Sequence, residues 1–98
     1  MKLKNYREAL LKRLNNPEYA AEYLEQTLSA GDSAAFLIAL KEVIDARGGV
    51  GQLAKEVQIA RPNLYKILSE GGNPTLETLQ KILHPLGLRV SIALDEAA

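Results

Sequence analysis

Residues 49–86, GVGQLAKEVQIARPNLYKILSEGGNPTLETLQKILHPL, constrain the chain most, because their apolar positions fit only short helices broken at fixed points. In the first piece Leu53, Ala54 and Val57 share one face at i, i+1 and i+4, with small Ala54 where another helix must approach closely. Ile59 then plugs a turn. In the second piece Leu64, Ile67 and Leu68 form an inward stripe. At about 100° per residue, Pro62, Lys66 and Ser69 point the opposite way, flanked by Asn63 and Tyr65. Gly71-Gly72-Asn73-Pro74 is a turn cluster, and Thr75 caps a supporting helix carrying Leu76, Leu79, Ile82, Leu83 and Leu86. Pro85 removes a backbone donor near the end of that helix, and Gly87 stops it.

Two helices joined this way can pack by one stripe and leave the outer face of the second free to lie in a DNA major groove. Lys66 suits a phosphate or a guanine edge, and Arg61 can do the same from the helix start. Asn63 has the amide geometry for adenine, while Tyr65 offers a hydroxyl to phosphate or a ring to a thymine methyl. Gln52, near the start of the preceding helix, is placed to touch the DNA backbone, and Pro62 and Ser69 complete the candidate DNA-binding face. The order of apolar, small and polar positions, with the tail GGNPTLETLQKILHPLGLRV, resembles the phage-repressor-like (Xre-type) helix-turn-helix family over about the last half of the chain.

Within that family, YLEQTLSAGDSAAFLIALKEVIDARGGVGQLAKEV, NLYKILSEGGNPTLETL and LGLRVSI resemble the antidote (antitoxin) proteins of addiction modules, which extends the likeness over nearly the whole sequence. The resemblance implies a regulator that represses its own operon and neutralises a small basic RelE/ParE-like toxin. Two positions depart from the helix-turn-helix pattern. Gln58 stands where the turn usually has Gly, which tolerates positive φ. Ala60 stands where Ser or Thr usually caps the second helix. A residue before proline avoids the α region, so the sequence also allows Arg61 to lie outside the helix with Pro62 at its start, which would shift the reading residues by one.

Ninety-eight residues fit one domain, and 47% hydrophobic residues with only 5% aromatic give a core of Leu, Ile, Val and Ala. The absence of cysteine excludes disulfides and thiolate metal sites. No apolar run approaches a membrane span and Met1-Lys2-Leu3-Lys4 leads into a charged stretch, so a cytoplasmic location is expected. Twelve basic and twelve acidic residues cancel, which is unlike most nucleic-acid binders, but their distribution is uneven. Residues 1–15 carry a net +4, residues 16–32 a net −4 and residues 50–94 a net +2. So mild an excess gives a modest phosphate attraction per subunit, which points to two copies on a palindromic operator.

Ahead of this segment the pattern predicts three helices. Tyr6 to Leu14 repeats Tyr6, Leu10 and Leu14 at i+4, with Leu3 and Leu11 widening the stripe. Asn16 and Pro17 then open a helix to about Ala30, with Ala20, Leu24, Thr27 and Leu28 as its buried side and Tyr19 stacked on Tyr23. Gly31 ends it. Asp32 caps a third helix in which Ala35, Phe36, Ala39, Leu40, Val43 and Ile44 form the most continuous stripe, a central strut stopped at Gly48-Gly49.

From residue 88 the period changes to two, with Leu88, Val90, Ile92 and Leu94 on one face of an expected strand. A single strand has no internal ladder partner, so antiparallel pairing with a second subunit is the economical solution, making these four the candidate dimerisation residues. Asp95 to Ala98 have no apolar pattern to dock them. The expected fold is thus all-α: a repressor-like bundle with an N-terminal helical extension at 1–31, a DNA-binding core at 32–87 and a dimerisation strand at 88–94.

Catalytic chemistry finds little support. His84 is the only imidazole and sits beside Pro85 at a helix end, with no second His or Cys to share a metal or nucleophile site. Gly48-Gly49-Val50-Gly51 follows a helix, not a strand, so a helix stop explains it better than a nucleotide loop. Glu18, Glu22 and Glu25 share a helical face that reads as solvated surface more readily than as a cation site. With Tyr19 and Tyr23 they are the candidate toxin-binding residues; the alternative is a purely structural role for the first two helices. No cofactor is implied. A prophage-type repressor without a toxin, or an interaction module that does not bind DNA, remains open.

Overall fold

Three side-chain caps set the helix starts. Asn16 Oδ1 accepts from the backbone N–H of Glu18 (2.9 Å) and Tyr19 (3.4 Å), Asp32 Oδ1 from Ala35 (2.9 Å) and Thr75 Oγ1 from Thr78 (3.1 Å). The computed structural model describes residues 2–96, with side chains from residue 5 onward. Among these residues it contains α1 (Lys2–Leu14), α2 (Pro17–Ser29), α3 (Ser33–Ala46), α4 (Val50–Val57), α5 (Arg61–Ile67) and α6 (Leu76–Leu83), then a 3₁₀ turn at His84–Leu86. None of the helices among the described residues is long and apolar enough to cross a membrane.

Helices α1, α2 and α4 pack against α3, α5 packs on α4, and α6 with its 3₁₀ turn closes against α4. One apolar cluster joins them, from Leu10 and Leu14 in α1 through Ala20 and Leu24 in α2 to Leu64, Ile82 and Leu86. Its centre is α3, which buries Phe36, Leu37, Ala39, Leu40, Val43 and Ile44. Each fully buried Leu or Ile is worth about 1.5–3 kcal/mol of transfer free energy, so α1 and α2 are part of what holds the bundle together.

Several expected features change. Helix α1 begins at Lys2, ahead of Tyr6, and Tyr6 is 71% exposed although it lies at i−4 from buried Leu10. The side chain of Leu3, expected to widen that stripe, lies outside the described residues. Leu28 and Leu76, expected inside, are 52% and 61% exposed, whereas Leu37, not in the expected stripe, is buried. Helix α6 stops at Leu83, not Leu86. Pro85 has no N–H to give the carbonyl of Lys81, and the chain tightens into the 3₁₀ turn.

Residues 88–94 form no strand. In the single chain they have no neighbouring ladder, as expected for a segment with no internal partner, and they run on irregularly from Gly87. Asp95 and Glu96 follow, while Ala97 and Ala98, the remainder of the terminus without an apolar pattern, lie outside the described residues.

Two glycine sites are dictated by space or backbone. Gly48 and Gly49 have φ of 109° and 92°, turning the chain from α3 into α4 where a β-carbon would strain it. At Gly72 a β-carbon would collide with the carbonyl of Ile67, so the chain leaving α5 passes directly over the end of that helix.

A polar chain crosses the outside of the bundle. The Tyr23 hydroxyl donates to Glu42 Oε1 at 2.8 Å, Arg7 reaches Glu42 at 4.0 Å and Asp45 at 3.0 Å, and Lys41 meets Asp45 at 3.2 Å. Burial, reinforced by the hydrogen bond to Glu42, pushes the Tyr23 phenol up from 10.0 to about 12. The fold therefore favours protonated Tyr23. This stability is fully present below pH 10 and is lost as pH rises through about 12. Tyr23→Phe is expected to cost about 1–2 kcal/mol at neutral pH. Urea unfolding at pH 8 to 12 should show the wild type losing its advantage over the variant across that alkaline window.

Candidate functional site

Helices α4 and α5 are joined by residues 58–60, a turn that works only if the chain reverses hand within one residue. Gln58 does this in the left-handed region, at φ 57° and ψ 39°. The turn thus keeps the geometry that Gly would adopt freely, and an exposed Gln carries the strain. Ile59 is half-buried and packs on the core, as its place between two stripes requires.

Ala60 occupies the N-cap with extended backbone (φ −57°, ψ 136°) but gives no side-chain cap, and its carbonyl accepts from Leu64 N–H at 3.0 Å. Helix α5 starts at Arg61 with Pro62 in its first turn. The alternative start at Pro62 is therefore corrected. The first turn has few N–H groups to satisfy internally, and the i−4 carbonyl that Pro62 would foreclose falls in the turn.

Leu64 and Leu68 are buried and Ile67 half-buried, so the opposite side of α5 faces out. Arg61, Pro62, Asn63, Tyr65, Lys66 and Ser69 are all exposed there. The Ser69 hydroxyl donates to the Lys66 carbonyl at 2.7 Å, which closes the helix end and occupies its proton. Gln52 is exposed on α4, its amide donating to Glu56 at 3.2 Å.

Two contacts organise the cations around this face. The Arg61 guanidinium lies 5.8 Å from the Tyr65 ring centre and the Lys41 ammonium 6.0 Å from it, so cations of α3 and α5 share one aromatic ring. Arg61 also runs across Gly51, where a β-carbon would lie 3.7 Å from its Cζ. Beside it opens a cleft of about 530 Å³ lined by Gly48, Gly51, Gln52, Ala54, Lys55 and Arg61, with no carboxylate in its wall. The start of α4, where free N–H groups favour anions, adjoins it.

Lys41 and Lys55 join this surface without having been singled out in the sequence. The i, i+4 pairing of Lys41 with Asp45 is visible there, but its approach to Tyr65 spans two helices that only tertiary packing brings together. Glu18, Glu22 and Glu25 are exposed along α2. Tyr19 stacks on Tyr23 with ring centres 6.5 Å apart at 16°, while the Tyr23 hydroxyl is tied to Glu42. Exposed His84 sits in the 3₁₀ turn, and no group of three or more His, Cys, Asp or Glu among the described residues could hold a metal ion.

The profile of a family described as "Probable addiction module antidote protein" matches residues 4–94, spanning every helix of the bundle. The chain belongs to this family. A Haemophilus influenzae protein, described only as an uncharacterized protein, is 34% identical over 79 residues, covering 81% of this chain and 80% of its own length. No solved structure matches the chain. The match runs from α1 to the tail, so the N-terminal helices belong to the family's shared sequence as much as α4 and α5 do.

The strained turn and the uncapped helix make separate predictions. Gln58→Gly should relieve about 1 kcal/mol of left-handed strain. Ala60→Ser should add about 1 kcal/mol by accepting from Asn63 N–H. Each should raise Tm by roughly 4–8 °C in thermal unfolding. A loss of stability on Gln58→Gly would mean that the glutamine side chain contributes more than its backbone costs.

Proposed function

We propose that the protein is the antidote of a toxin–antidote module and that, as a homodimer of repressor-like helix-turn-helix subunits, it binds a palindromic operator and represses its own operon. Family membership supports the antidote role. The observation that carries the DNA reading is the outward face of α5, presenting Arg61, Asn63, Tyr65 and Lys66 beside a cleft with cations and no acid in its wall. Lys66 and Arg61 would take phosphate or guanine, Asn63 would read adenine and Tyr65 would touch phosphate or a thymine methyl. Pro62, Ser69 and Gln52 border the same surface.

The partner in the second role is a small basic toxin of RelE/ParE-like type. Exposed Glu18, Glu22 and Glu25 would steer it, and Tyr19 would add amphipathic contact area. Tyr23 supports Tyr19 from behind, since its hydroxyl is engaged with Glu42. A fragment lacking α1 and α2 would lose Leu10, Leu14, Ala20 and Leu24 from the core, so tests belong on the full chain.

Gel shifts with DNA upstream of the gene should show binding that weakens steeply with salt. Lys66→Ala should cost about 1 kcal/mol or more, and Asn63→Ala should relax base preference. Unchanged operator affinity in a folded Tyr65→Ala, Lys66→Ala double variant would refute the assignment of α5. In stopped-flow mixing with the product of the adjacent gene, replacing Glu18 and Glu22 by Lys should slow association by about tenfold at low salt and flatten its salt dependence, with DNA binding retained. An unaltered rate would put the toxin surface elsewhere.

A further inference from the structure

An apolar groove of about 360 Å³ runs between α2, the end of α6 and residues 88–91. Its lining includes Leu28 of α2, Phe36 of α3 and Leu88 and Val90 of the tail, with Glu25 and Arg89 as its charged members. Directly beyond it Ile92 and Leu94 are 98% and 90% exposed. Scattered apolar residues on a surface are ordinary, but here an open groove continues into a run of alternating apolar residues. Among the described residues, no backbone–backbone hydrogen bond ties residues 89–94 to the helices.

We infer that this groove is the seat for the same tail of a second copy of the chain. The inference rests on the dimeric form of the function proposed above and specifies its interface. With a two-fold axis through Ser91, antiparallel pairing sets Ile92 of one copy opposite Val90 of the other, and Leu94 opposite Leu88. Opposed residues project to the same face, so the second copy's Ile92 and Leu94 descend beside the two side chains that wall the groove and cover Leu28. Displacing the register by one residue would set these apolar groups against Arg89, Ser91 and Ala93. The same pairing supplies backbone partners to residues 88–94, turning an irregular tail into a two-stranded ladder.

The test uses sedimentation velocity over a concentration series on the full chain, Leu28→Asp and Ile92→Asp, with circular dichroism to verify the fold. The chain has no cysteine, so Ser91→Cys can form a disulfide only between copies. The wild type should be dimeric, and each Asp variant should raise the dimer Kd by about tenfold or more. Mild oxidation should convert Ser91→Cys to a covalent dimer faster than a Ser33→Cys control. If the wild type is dimeric but Leu28→Asp is equally so and Ser91→Cys links no faster than the control, the groove belongs to another partner and the dimer forms elsewhere. In that case the groove inference fails while the dimeric reading stands. A wild type that stays monomeric throughout the series overturns both, leaving the gel shift to decide DNA binding alone.

Discussion

Helix α3 must cover a wide apolar arc. Ala39, Val43, Phe36, Leu40, Ile44 and Leu37 span about 160° of the helical wheel, well beyond the narrow seam of a two-helix contact. One neighbour cannot cover that much surface. Helices α1 and α2 meet α3 as well as each other, and α4 packs against it too. The position of α5 follows at one remove because it packs on α4, while Lys41 reaches it directly through the Tyr65 ring. The candidate DNA-binding face is therefore placed by a helix that contributes little to its surface beyond one cation.

This arrangement ties the two candidate surfaces together. Tyr23 on α2, Glu42 on α3, Arg7 on α1, Asp45 and Lys41 on α3, and Tyr65 with Arg61 on α5 form an unbroken series of polar and cation–aromatic contacts. Individually the exposed pairs are worth little, about 0–1 kcal/mol each. Their value is positional. Asp45 is shared by Arg7 and Lys41, so the cation that borders Tyr65 is held by a carboxylate that also anchors α1.

The turn between α4 and α5 shows how a fold can tolerate poor local choices. Gln58 adopts a backbone conformation better suited to Gly, and Ala60 caps nothing. The burial of Val57, Leu64 and Leu68 on either side offsets both costs, since each large apolar side chain removed from water is worth more than a missing cap. Tertiary burial here overrides local preference.

The sequence alone determined where the helices lie, because periodicity and caps act over a few residues: Asn16, Asp32 and Thr75 each cap the helix they precede, and the bounds of α4 follow from its apolar spacing. It also marked the exposed residues of α5, since a stripe with Leu64 and Leu68 inside leaves Arg61, Asn63 and Lys66 outside. Only the tertiary structure decided how far each stripe is covered. Tyr6, Leu28 and Leu76 keep the helical period yet stay largely exposed, and a period gives the direction of a side chain without giving the extent of its cover. The meeting of Lys41 with Tyr65 and of Arg7 with Asp45 likewise depends on packing between helices distant in sequence. The tail's apolar alternation was legible and read as a strand, but the chain forms none there, because strand formation needs a second backbone that one chain does not supply.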